Sequence, residues 1–144
     1  MLSRHAPILS TVLIGATAAL LAAAPASARE DCTQWKLPPV TTVNQGNGFT
    51  VTLDIKQQGN ELRGEATSMM NHGGGYASNF DGKIRGNKVD ISVYWSPDSI
   101  GVYSGKINDR GRIEGKTHDR KHPAVMATWY ADQLASCVKH ENIK

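Results

Sequence analysis

The sequence predicts an all-β protein: a single antiparallel meander β-barrel of seven to eight strands. Three observations predict it. Apolar and polar residues alternate with period two along several segments, as in Phe49 to Gln57 and Val89 to Trp95, which marks half-buried strands. Turn-forming clusters separate these segments at intervals of about 8–12 residues. Two cysteines, Cys32 and Cys137, stand near the two ends of the chain that follows residue 28, and a bond between them brings those ends side by side.

The chain opens on a leader. Arg4 and His5 form a short basic start, Ile8 to Ala24 is apolar and small, and Ala26-Ser27-Ala28 has the form of a signal-peptidase site. That order predicts a secretory signal peptide over residues 1–28. Removing 28 residues from 144 leaves 116, the β-barrel domain at 29–144, enough for one core. Loss of Arg4 lowers the formal charge from +3 to +2. Such a weakly basic, mixed surface excludes nucleic acid as a partner expected from composition. No transmembrane segment is expected beyond the leader.

Trp35, Leu37, Pro38-Pro39 and Val40 begin the domain, and the prolines restrict any strand there to a short or edge position. Gln45-Gly46-Asn47-Gly48 is a turn cluster. In the strand Phe49 to Gln57, Phe49, Val51, Leu53 and Ile55 face inward. Gln58-Gly59-Asn60 turns the chain, and Leu62, Gly64 and Ala66 face inward on the next segment. Met69 to Tyr76, with its three glycines, reads as a loop that would serve as a lid. Phe80 and Ile84 mark the following strand, Arg85-Gly86-Asn87-Lys88 a turn, and Val89, Ile91, Val93 and Trp95 one face of the next.

Gly101 to Thr117 has the form of a hairpin. Tyr103, Gly105 and Ile107 share one face, Asn108-Asp109-Arg110-Gly111 turns, and Ile113, Gly115 and Thr117 share the returning face. Asp119 to Pro123 is a charged loop. Ala124 to Ala131 is the last predicted strand, with Val125, Ala127 and Trp129 inward. From Asp132 onward a polar tail is expected, with Leu134, Ala135 and Val138 spaced for one short helical turn. Export and an even cysteine count predict a Cys32–Cys137 disulfide. It closes a loop of about 100 residues, for which chain entropy gives about 4–5 kcal/mol. Joining the first and last strands, it is expected to accompany closure of the sheet, which removes exposed edges.

With Trp35 early, the strand Phe49 to Ile55 with its Gly-Asn turn, the hairpin Tyr103 to Gly115 and the late Trp129, the chain resembles the small eight-stranded meander barrels of the avidin/streptavidin and lipocalin (calycin) type. The resemblance implies architecture and transfers no binding residue.

Chemistry is sparse. His118 and His122, with Asp119 between, fall at a strand end and in a loop, so they do not share a helical face as a metal pair would. Asp54, Glu65, Asp90 and Glu114 face outward among Thr, Lys and Arg, which is a solvated face and not the converging pair of a glycosidase. No serine stands in a Gly-x-Ser-x-Gly elbow, and Gly73-Gly74-Gly75 lacks the lysine and helix of a phosphate loop. Arg110, Arg112, Lys116, Arg120 and Lys121 form a basic but diluted surface. No catalytic residue, metal or cofactor is therefore expected.

Large aromatic and very small residues mix on the inward faces. Trp95, Tyr103 and Trp129, together with Tyr76 from the loop, are the expected ligand-binding residues at an open barrel end. The expectation is a secreted or periplasmic, non-enzymatic protein that binds a small apolar ligand. Two alternatives stand beside it: a module that binds or inhibits an extracellular protein partner, and a hydrolase or isomerase, which needs converging carboxylates or histidines.

Overall fold

The computed structural model describes residues 31–70 and 75–141. The expected signal peptide and residues 71–74 of the expected loop lie outside this range. The described residues form ten strands and no helix. They are β1 (Asp31–Lys36), β2 (Val40–Gln45), β3 (Phe49–Gln58), β4 (Glu61–Met70), β5 (Gly75–Arg85), β6 (Lys88–Ser96), β7 (Ser99–Ile107), β8 (Ile113–Asp119), β9 (His122–Ala131) and β10 (Ser136–Glu141). Strands β2 to β9 make a closed eight-stranded antiparallel barrel in sequence order, and β1 pairs with β10 in a separate two-stranded ribbon.

Local sequence sets the hairpins. The β3–β4 and β5–β6 connections are two-residue Gly-Asn loops, with Gln58 opposite Glu61 and Arg85 opposite Lys88. Their glycines take φ of 57° and 60°, the positive value that the first central position of a type II′ hairpin turn requires. Alternation then sets register. In β3, Val51, Leu53 and Ile55 are buried while Asp54 and Lys56 are exposed. A slip of one residue would exchange the two faces.

The barrel closes through hydrogen bonds between β2 and β9, with Val43 opposite Ala131 and Gln45 opposite Trp129. The Gly46 N–H donates to the Thr128 carbonyl at 2.8 Å, and the Asp132 N–H to that of Thr42 at 2.9 Å. The predicted Cys32–Cys137 disulfide is formed, with an S–S distance of 2.05 Å. It holds the β1–β10 ribbon and not the barrel seam. The ribbon covers the end of the barrel where the Gly-Asn turns lie. There the Gln57 amide donates to the Trp35 carbonyl at 2.8 Å and accepts from the Leu37 N–H at 2.9 Å, and the Ala135 N–H donates to the Gly111 carbonyl at 2.8 Å. Trp35 and Leu37 are buried and belong to the core.

Three expectations change. The tail after Asp132 contains strand β10 where a helical turn was expected. The spacing of Leu134, Ala135 and Val138 fits a helical turn, but the unpaired edge of β1 needs a partner, and the disulfide holds the tail against it. Second, strand pairing runs further into the expected Met69 to Tyr76 loop, with Met69 opposite Gly75. Third, the prolines near the start separate two strands, β1 and β2.

Leu62, Ile84, Val89, Ile107 and Ile113 are each at most 1 % exposed and fill the capped half of the barrel. Each such aliphatic side chain contributes about 1.5–3 kcal/mol on burial. No helix among the described residues is long and apolar enough to cross a membrane.

Candidate functional site

The other half of the barrel is hollow. At the end opposite the ribbon, a cavity of about 770 Å³ opens between the β2–β3, β6–β7 and β8–β9 turns. Period two along each strand carries the inward row to this end. Phe49, Trp95 and Tyr103 supply aromatic walls, Gly101 lets the Trp95 ring lie against the backbone, and Ala127, Val125 and Met126 line the β9 side. A methyl on Gly101 would come within 2.9 Å of Trp95 Nε1 and 3.1 Å of Tyr103 Cε2, so a larger residue there would push both rings into the space.

Deeper in, the polar groups are neutral. The Gln45 amide donates to the Tyr103 hydroxyl at 2.6 Å. Tyr103 is 5 % exposed, and burial pushes its phenol up to about 12, opposed by hydrogen bonding with Thr117 and Gln45. It therefore stays a neutral hydroxyl across the physiological range. Thr117, opposite it on β8, and Ser68 on β4 are buried too.

Charged groups stand at the mouth. The Ser99 hydroxyl donates to Asp119 at 2.8 Å, as does the Lys121 N–H at 2.8 Å. Hydrogen bonds from these two groups hold the Asp119 carboxyl below its ordinary value. The Arg120 N–H donates to the Ile100 carbonyl at 2.9 Å, and Lys121 pairs with Asp98 at 2.8 Å. These contacts tie the β6–β7 turn to the β8–β9 turn and fix one side of the opening. Around it, Tyr76, Val125 and Met126 are 73 %, 74 % and 57 % exposed.

Of the residues expected at a site, Trp95, Tyr103 and Tyr76 line this cavity, with Tyr76 outermost. Trp129 does not line it. Its ring meets Tyr103 edge-on, with centroids 6.0 Å apart and planes at 71°, and its indole N–H donates to the Lys116 carbonyl at 3.0 Å. It faces inward as expected, but the close-set backbone at Gly105 makes room for its ring in the packed interior. Val125, expected inward, reaches the lip of the barrel, where inward positions meet solvent.

Residue reading missed Gln45, Ser68 and Thr117 as site groups. The signal was present: Gln45 follows Thr41 and Val43 at period two, and Ser68 follows Leu62, Gly64 and Ala66. Gly46-Asn47-Gly48 adjoins Gln45 and gives it the local signature of a turn residue.

His118, Asp119 and His122 all border the cavity, yet no group of three or more His, Cys, Asp or Glu side chains among the described residues is placed to hold a metal ion. Among the described residues, Asp119 is the single carboxylate lining the cavity. Asp54, Glu65, Asp90 and Glu114 are exposed on the outer wall. No protein-family model matches the chain, and no curated protein matches it significantly.

Proposed function

We propose that this chain is an exported binding protein that takes a small, largely apolar ligand into the open end of a calycin-like barrel. One observation carries the reading: a barrel packed solid at its capped end holds an aromatic-walled cavity of about 770 Å³ at the other. Eight strands give an interior that side chains fill or that has room for one small ligand, and here side chains fill one half and leave space in the other. A volume in the range of about 300–1,000 Å³ suits such a ligand. The leader expected at residues 1–28 and the disulfide support export to the periplasm or the medium.

The neutral, environment-sensitive fluorophore N-phenylnaphthylamine tests this. Its emission is expected to rise on addition of the oxidised protein and to lose most of that rise in Val125→Asp, which sets a charge at the lip. No enhancement, or enhancement indifferent to Val125→Asp, would refute the reading. Native mass spectrometry of protein purified from its own host then reports the retained ligand.

Exposed Tyr76, Val125 and Met126 at one rim, with Met69 and Met70 exposed at the same end of β4, favour the second reading, a module that grips an extracellular protein. Affinity capture that recovers one protein and no extractable small ligand would select it.

A further inference from the structure

The cavity is sorted by charge along its depth. Gln45, Ser68, Tyr103 and Thr117 are polar and uncharged, and they line its inner part. Asp119, His118 and His122 stand on the β8–β9 side of the mouth, where Asp119 is already held by Ser99 and Lys121. No Lys, Arg, Asp or Glu among the described residues lines the inner part. A carboxylate or ammonium pushed there would leave water without a counter-charge, a costly transfer.

Two donors in this cavity also lack protein partners. Among the described residues, neither the Ser68 hydroxyl nor the Trp95 indole N–H makes a hydrogen bond to protein; the bond at Trp95 runs from the Ser78 hydroxyl to its main-chain carbonyl. Ser68 is 8 % exposed. A hydrocarbon pressed against such donors would leave them unpaired, whereas a carbonyl or hydroxyl oxygen satisfies them. Tyr103 adds no negative charge, because its phenol is held protonated by burial.

Resting on the binding reading above, we infer that the ligand is an uncharged amphiphile, such as a long-chain amide, ester or alcohol. Its neutral head enters first and meets Ser68 and Trp95 Nε1. Its apolar body leaves past Tyr76, Val125 and Met126, where carbon is exposed and available to cover it.

Isothermal titration of the oxidised full chain at neutral pH with decanamide, decanoate and decyltrimethylammonium tests this, since the three share a chain and differ in head charge. Decanamide is expected to bind at least about tenfold more tightly than either ion, because only the ions lose solvation without a partner. Ser68→Ala and Trp95→Phe, which remove a donor and keep the wall, are expected to narrow that preference. An ion that binds as tightly as the amide overturns the neutral-head inference while the binding reading stands. A preference unchanged in both variants removes Ser68 and Trp95 as the head contacts. Failure of all three probes to bind brings down the binding reading itself, and this inference with it.

Discussion

The Gly105→Ala substitution tests how tightly the inner layer of the barrel is built. A methyl on Gly105 would lie 2.6 Å from Cζ2 of Trp129 and 2.8 Å from the Glu114 carbonyl oxygen. Carbon atoms in van der Waals contact sit about 3.5–4.0 Å apart, so the methyl overlaps the indole by about 1 Å. The ring is not free to swing away. Its N–H is bonded to the Lys116 carbonyl at 3.0 Å, and its neighbour Tyr103 blocks one side. Overpacking of this kind costs about 1–3 kcal/mol, and loss of the Lys116 hydrogen bond adds about 1 kcal/mol. The expected destabilisation is therefore about 2–4 kcal/mol in urea unfolding followed by far-UV circular dichroism. Trp129→Phe removes the overlapping indole atoms and leaves the Glu114 carbonyl, so Gly105→Ala in that background is expected to cost at least about 1 kcal/mol less than in the parent. A cost for Gly105→Ala below about 0.5 kcal/mol, or strict additivity in the double-mutant cycle, would refute the close-approach reasoning.

Replacing both cysteines by serine is expected to cost about 5 kcal/mol, the loop-entropy value for a separation of 105 residues. The barrel signature in near-UV circular dichroism is expected to persist, because β2–β9 hydrogen bonds form the seam; its loss in native buffer would contradict that. Tyr103 is raised in the folded state above its unfolded value, so its contribution is full below pH of about 10 and is lost as pH rises through about 12. A shift from about 10 to about 12 corresponds to about 2–3 kcal/mol. Tyr103→Phe is therefore expected to flatten this alkaline loss of stability, and an unchanged pH profile would count against it. Leu62→Ala, at a site 0 % exposed, is expected to cost about 2–5 kcal/mol, whereas Met126→Ala at the lip stays within about 0.5 kcal/mol. Equal costs in thermal unfolding would show that the two barrel ends are not packed differently.

Strand faces and tight turns were legible because both are local. Phe49 to Gln57 alternates with a period that only a half-buried strand satisfies, and Gly59-Asn60 and Gly86-Asn87 carry the backbone freedom of two-residue loops. Two cysteines in a chain expected to be exported named their own bond. Their location was not legible, since pairing of β1 with β10 outside the barrel depends on how Trp35 and Leu37 cap its end. For the same reason the short apolar set Leu134, Ala135 and Val138 misled: helix and strand are nearly balanced over so few residues, and the partner strand decides between them.

The candidate site shows the same division. Alternation alone assigns Trp95, Tyr103 and Trp129 to the inner face. Period two gives a side chain's face but not its depth. Depth depends on strand stagger around the closed barrel, on where the ribbon sits and on which backbone gives way. Those long-range facts pack Trp129 into the interior over Gly105, open the space beside Trp95 and Tyr103, and turn Gln45 from a turn residue into a partner of the Tyr103 hydroxyl. The fold class and faces thus follow from the sequence by itself, because short-range sterics and alternation fix them. Which end is filled and which is hollow was decided only in three dimensions, where segments far apart in the chain compete for the same interior.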